Sequence, residues 1–344
     1  MEYCREVDGA QRCGKSGITH LHRAARDGNL DTLKALLQAH EDPNVRDKKS
    51  KTPLHEACAH GHVKCAETLL DAGALISAHK TNGFTPLHYA AAGPHLSIVR
   101  LLISRGVTVD APDHKGERAV DVAARVGSKA VVQALLDSGA DVNARTNNGR
   151  SCLHTAALHG HKEVLRILLA AGGNPTATDN GGNQPIHEAA AGGNVACLDL
   201  LMGVGVDLSV VDACGCSPLH QAAAAGHVMA ARWLIEKGVD VEAQDEKQST
   251  PLYWAACRGH TEMVSFLVFD AKANPSAANI FRSCLHVAAG WGHVGTCKAL
   301  LKAGANTNAQ DNNGQTPANV AALSSDRFPE LARVFCADKP SSII

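Results

Sequence analysis

The chain predicts an all-α solenoid of short stacked repeats, and three observations carry that prediction. The first is recurrence. The slot held by Thr52, within Ser50 to Lys80 (SKTPLHEACAHGHVKCAETLLDAGALISAHK), returns at Thr19, Thr85, Arg118, Ser151, Gln184, Ser217, Thr250, Ser283 and Thr316, each 33 residues after the last and without an insertion. The second is that each period holds two short apolar-faced runs punctuated by glycine. The third is energetic: one such period cannot bury its apolar side alone, so ten copies have to hide it against one another.

Each element within a period has a local cause. A threonine followed by proline starts a helix, because the hydroxyl can accept from an orphan backbone N–H and proline gives up a donor that had no partner. Leu54, Ala57 and Cys58 then give a short helix with a small apolar face. Gly61 ends it, and His62 with Val63 opens a second helix whose Leu69 and Leu70 face the stack until Gly73. The next ten residues, rich in Asp, Asn and Gly around Gly83, read as an extended segment and a tight turn.

The 33-residue period, with TPLH at Thr52 to His55 and Thr85 to His88, SPLH at Ser217 to His220 and GADVNAR at Gly139 to Arg145, resembles the ankyrin repeat from about Ser16 to Phe335. The resemblance implies an ankyrin-repeat α-solenoid of helix-turn-helix units joined by hairpin-like turns, and a protein-binding role. Three segments are expected: a flexible N-terminal leader over 1–15, one ten-repeat solenoid over 16–336, and a C-terminal tail over 337–344.

Composition narrows the function classes. A formal charge of −1, from 33 basic and 34 acidic residues, lacks the long-range field of a nucleic-acid or anionic-membrane binder. Twelve cysteines are too few for a disulfide scaffold at this length, and Cys58, Cys65, Cys197 and Cys297 occupy small apolar helical slots, which fits a reducing compartment. No signal-like leader and no apolar run near 18 residues is seen. A soluble monomer, cytoplasmic or nuclear, is expected.

Along the chain, Gly9 to Ser16 fits G-x-x-x-x-G-K-[ST], the phosphate-cradling loop. That loop needs a buried strand before it and a long helix after it, whereas the first repeat's turn follows here, so a chance match in the leader is the favoured reading. Repeat one places His20 at the proline slot and His40 at the helix-ending glycine slot, and its polarity suits a cap. In repeat three, Pro94 replaces the inter-helix glycine and Phe84 is expected to be exposed on the turn. Repeat four puts Arg118-Ala119-Val120-Asp121 where TPLH belongs, so its first helix is expected to lack a cap and be weaker by about 1 kcal/mol.

Cys214 and Cys216 enter repeat seven; a shared metal or a strained redox pair is possible in principle, and two small turn residues is the simpler reading. Repeats eight and nine differ most. Tyr253 and Trp254 replace the motif histidine and its neighbour, Asp270-Ala271-Lys272-Ala273 lacks the glycine end, and Ile280-Phe281 replaces the turn glycine. Seven of the twelve aromatic residues fall within 233–291. Repeat ten again looks like a cap.

Of 19 histidines, thirteen occupy two repeat slots. His22, His55, His88, His154, His187, His220 and His286 lie three after the anchor, and His62, His95, His161, His227, His260 and His293 follow the inter-helix position; there an imidazole can bridge backbone groups between repeats. Pairs such as His60 with His62 could catch zinc only adventitiously, and HExxH, G-x-S-x-G and dinucleotide glycine patterns are absent. No catalytic residue, metal site or cofactor is assigned.

The reading is a non-enzymatic scaffold or adaptor that holds a protein partner on the concave face and turn edge, with no nucleic-acid or membrane-inserting role. The candidate contacts are Cys257, Arg258, Ile280, Arg282 and Trp291, with Phe84, because large desolvated side chains and arginine supply most interface affinity. Trp254, Phe266 and Phe281 are expected to be core fillers rather than contacts. The resemblance further implies Asn143 in LLDSGADVN as a site for an asparagine hydroxylase, and Ser342 to Ile344 fits a PDZ-type ligand. A substrate-recruiting adaptor of a ubiquitin ligase and a nucleotide-binding enzyme acting through Lys15 are the alternatives.

Overall fold

The structure is a computed structural model that describes residues 4–7, 10–13, 17–323 and 327–337. It is an all-helical repeat solenoid: every anchor residue stands directly before a short first helix, a second helix follows it, and a hairpin finger leads into each of repeats two to ten. The chain forms two compact bodies, Met1–Ala156 with Glu163–Asn174, and Ala157–Lys162 with Pro175–Ile344. Gly9, Gly14, Lys15 and Ser16 of the phosphate-loop match, and Ser342 to Ile344, lie outside the described residues.

In the first body, Cys4–Val7 pairs antiparallel with Ala10–Cys13, which pairs with Ile18–Thr19. Sequence reading assigned no strand there. First helices such as Pro53–His60 and Pro86–Ala92 present Leu54, Ala57, Cys58, Leu87, Ala90 and Ala91 to the interior, all fully buried or nearly so. Second helices contribute Leu69, Leu102 and Leu135, also fully buried, whereas Leu70 is only half-buried. Burying each leucine stabilises by about 2 kcal/mol, and only the neighbouring repeat makes that burial possible.

Histidine ties the copies together in both directions. In repeat two, Nδ1 of His55 accepts from the Thr52 N–H at 3.1 Å and lies 2.8 Å from the Thr52 hydroxyl, so the ring proton sits on Nε2, which donates to the Phe84 carbonyl of repeat three at 3.1 Å. His22 reaches Lys51 and His88 reaches Glu117 in the same way. The second histidine column reaches backward: Nε2 of His62 donates to the Arg26 carbonyl at 2.9 Å. That ring passes directly over Gly28, where an added Cβ would meet it at 2.6 Å. The inter-helix glycine thus serves close approach as well as its left-handed φ of 71°.

Repeat four corrects the expectation of an uncapped helix. Asp121, in the histidine slot, accepts from the Arg118 N–H at 2.8 Å. Burial pushes its carboxyl up to about 7, against the pull of that N–H and of the Arg118 charge. The side chain caps its own helix but, being shorter and without a donor when ionised, supplies no counterpart to the forward histidine bond.

In the second body, His187, His220 and His286 continue the forward column to Cys216, Ser249 and Gln315. His260 and His293 continue the backward one to Ala224 and Cys257. Asn194 substitutes in repeat six, its amide donating to the Leu158 carbonyl at 2.7 Å.

Candidate docking surface

The fingers are built on one aspartate. At Asp47, Asp113, Asp179, Asp212, Asp245 and Asp311, five before the next anchor, Oδ1 accepts from the backbone N–H groups two and four residues on, at 2.7–2.9 Å. A three-residue loop closes between them, as in the Asp245 N–H bond to the Ser249 carbonyl at 3.0 Å. Adjacent fingers join through single backbone bonds such as Glu246 N–H to Cys214 carbonyl, 3.0 Å. The outer carboxylate oxygen takes a side chain of the first helix: Gln221 donates to Asp212 at 3.1 Å and Trp254 to Asp245 at 3.0 Å.

Repeats eight and nine break this pattern by two compensating changes. The second helix of repeat eight runs Thr261–Ser265 and then widens into a π-turn at Phe266–Asp270, which takes up one extra residue. Its left-handed end falls on Lys272 (φ 63°), one place later than the glycine column. The following finger is one residue shorter. Its base is Asn279, whose N–H bonds the Arg282 carbonyl at 3.0 Å and whose Oδ1 accepts from the N–H groups of Phe281 at 2.9 Å and Arg282 at 3.0 Å. Two compensating shifts leave the 33-residue spacing intact.

The result is a two-residue hairpin that presents Ile280, 47% exposed, and Phe281, 46% exposed. Neighbours hold it on both sides: the Ile280 N–H donates to Lys247 at 3.1 Å, and Asn312 donates to Phe281 at 3.2 Å and to Ile280 at 3.3 Å. The loop is therefore a fixed apolar knob with the exposed Arg282 beside it.

Trp291 stands apart from that knob. It caps the first helix of repeat nine, Cys284–Gly290, and is 61% exposed. Arg258, exposed, holds the same slot one repeat earlier at the end of Pro251–Arg258. Cys257 is half-buried, its carbonyl taken by His293. The seven-residue helix before Trp291 separates it from the finger by about 10 Å of rise. The single patch expected from sequence is thus two: Ile280-Phe281-Arg282 on the finger, and Arg258 with Trp291 at the helix ends.

The remaining sequence candidates are placed as follows. Phe266 is buried, under the Arg232 guanidinium at 4.5 Å, and Trp254 is half-buried, so these two serve packing while Phe281 does not. Phe84, expected to be exposed, is half-buried because its ring stacks on His88 at 4.9 Å and meets Tyr89 edge-on at 5.6 Å. Asn143 is exposed, yet its amide donates to the Gly172 carbonyl at 3.0 Å and accepts from the Asn174 N–H at 2.8 Å. Burial raises the thiols of Cys197 to about 11 and of Cys216 and Cys297 to about 12, which removes them as nucleophiles near neutral pH. Among the described residues, no group of three or more His, Cys, Asp or Glu is arranged to hold a metal ion, and no helix is long and apolar enough to cross a membrane.

The two-helix copies, the histidine columns and the fingers agree with what family models find. The model for ankyrin repeats in three copies matches residues 5–80, 21–113, 73–146, 120–212 and 186–279, and that for ankyrin repeats in many copies matches 285–335. The chain belongs to the ankyrin-repeat family. Ankyrin repeats are generally protein–protein interaction modules, and ankyrin-repeat proteins are typically non-enzymatic binding scaffolds. No curated protein matched the chain. The finger aspartate recurs in six of the fingers as a column visible in the sequence, five before the anchor, and is the signal that sequence reading misses.

Proposed function

We propose that this ankyrin-repeat chain is a non-enzymatic scaffold that holds a protein partner on repeats eight and nine, through the Ile280-Phe281 knob and the Trp291 shelf. The observation that carries the reading is the rebuilt finger. Where six fingers close around an aspartate, this one spends its turn on two exposed apolar side chains. Large apolar side chains held rigidly at a surface lose little entropy on binding and exclude water from whatever covers them. Arg258 and Arg282, one beside each patch, favour acidic groups at the partner's rim.

The test is paired capture from lysate with wild type, an Ile280→Asn/Phe281→Gly variant, and an Arg258→Glu/Trp291→Ala variant. The expected result is that one protein recovered by wild type is lost by both variants while their thermal midpoints stay within a few degrees of wild type. Equal recovery by folded variants would overturn the reading.

A further inference from the structure

In the first body a cavity of about 450 Å³ lies where the fingers of repeats two and three meet the first helices, lined by Lys48, Lys49, Lys51 and Lys80 together with Asp47, Glu56 and Tyr89. Four lysines and two acidic residues line it, a formal surplus of two positive charges. Both carboxylates are already engaged. Oδ1 of Asp47 accepts from the N–H groups of Lys49 and Lys51 at 2.8 Å each, and Glu56, only 6% exposed, pairs with Lys51 at 2.9 Å. No carboxylate pairs with Lys48, Lys49 or Lys80 among the described residues. Lys51 and Lys80 flank the Tyr89 ring at 4.7 and 5.9 Å.

Lys80 is the decisive residue. It occupies the column where six other fingers hold the closing aspartate, and by standing there it forgoes two side-chain hydrogen bonds; the Phe84 N–H falls back on Asn82 Oδ1 at 3.3 Å. A residue that breaks a repeating structural rule, and leaves one long bond from a neighbour where two short ones stand elsewhere, marks a position held for something other than stability. The lysine pair is local too: in the later fingers the Lys48 and Lys49 slots hold Thr81-Asn82, His114-Lys115, Asn147-Asn148, Asn180-Gly181, Ala213-Cys214 and Glu246-Lys247.

We infer that this cavity is a second docking site, for a carboxylate-rich segment of a protein partner. Its chemistry favours that occupant over a phosphate. Phosphate cradles use several free backbone N–H groups in succession, and here those of Lys49, Ser50 and Lys51 are taken by Asp47. The lysines are separate point charges on two successive fingers, which suits several carboxylates spaced along a peptide better than one compact anion. The chain's charge of −1 supplies no wider field to hold a nucleic acid.

The test is fluorescence anisotropy of a short fluorescein-labelled Asp/Glu-rich peptide titrated with the full chain. Binding is expected to weaken with salt and to fall at least about tenfold in Lys48→Glu/Lys49→Glu. Lys80→Asp restores the finger's aspartate, so it is expected to keep or raise the thermal midpoint while also weakening the peptide, which separates binding from folding. Trp291→Ala is expected to bind the peptide as wild type does. Unchanged affinity in both lysine variants, or loss in Trp291→Ala, overturns the site. Displacement by pyrophosphate or by a single-stranded oligonucleotide at concentrations equal to an unlabelled acidic peptide overturns the peptide as its occupant.

Discussion

The Nε2–H of His55 donates to the carbonyl oxygen of Phe84 at 3.1 Å, 29 positions and one repeat away. The same ring's Nδ1 faces the Thr52 N–H, so one neutral imidazole caps its own helix and ties down the next finger. His55→Leu keeps the volume and removes both bonds, leaving the Thr52 N–H and the Phe84 carbonyl short of partners. A loss of about 2–4 kcal/mol is expected, read by urea denaturation, with hydrogen exchange quickening first at the finger of repeat three.

Acid should loosen these ties. Nδ1 can accept only while the ring is neutral, and burial lowers His55 to about 4, with His22, His88, His187 and His220 lowered for the same cause. The unfolded chain takes up protons near 6.5, so the histidine contribution is complete above pH 6.5 and is lost as pH falls toward 4. His55 alone accounts for about 3 kcal/mol of that slope. The check is the urea midpoint measured from pH 8 down to 4; a flat profile contradicts it.

Asp121 works in the opposite sense. Its folded pKa, raised to about 7, makes its contribution largest below pH 4 and lost as pH rises through 7. Asp121→Asn keeps an acceptor for the Arg118 N–H without the buried charge. It is expected to stabilise at pH 8, by up to about 4 kcal/mol, and to have little effect at pH 4. Urea midpoints at the two pH values decide this.

Two glycine columns look alike in sequence and should respond differently. Gly238, at φ 91°, has nothing within 4 Å of an added Cβ, so Gly238→Ala meets backbone strain alone, about 1–2 kcal/mol. Gly259, at φ 74°, would bring its Cβ to 2.5 Å from the His293 ring, so Gly259→Ala adds the loss of the His293 bond to Cys257. Thermal melts are expected to place Gly259→Ala below Gly238→Ala by about 1–3 kcal/mol equivalent.

The finger of repeat nine depends on Asn279. Asn279→Ala deprives the Phe281 and Arg282 N–H groups of their acceptor. Faster exchange at those two amides, with the helices Pro251–Arg258 and Cys284–Gly290 unaffected, is the expected outcome.

The repeat frame was legible because its determinants are local and repeated: a hydroxyl before proline, a leucine two residues later, a glycine at each helix end. Leu54 and Leu69 are buried as their spacing implied. The cap on repeat four was not legible, because Asp121 stands where seven other repeats hold histidine, and only Asn319 in repeat ten closes its anchor N–H with a side-chain oxygen in the same way. The exposure of Phe84 was misjudged because its cover comes from His88 and Tyr89, which fold back from the next helix. The rebuilt finger was hidden for a different reason: an extra residue in the π-turn and a missing one in the hairpin cancel, and the period shows neither. The sequence placed Ile280 and Trp291 in variable slots, but only the helix between them shows that they lie in two separate patches.

The most direct test of the docking surface is photo-crosslinking from one structural slot in two places. A benzophenone amino acid at Trp291 in repeat nine is compared with one at Val126 in repeat four, which holds the same helix-end position and is 40% exposed. The account expects a discrete protein adduct from position 291 that the Ile280→Asn/Phe281→Gly change abolishes, and none from position 126. Equal adducts from both positions, or an adduct from position 126 alone, would contradict it.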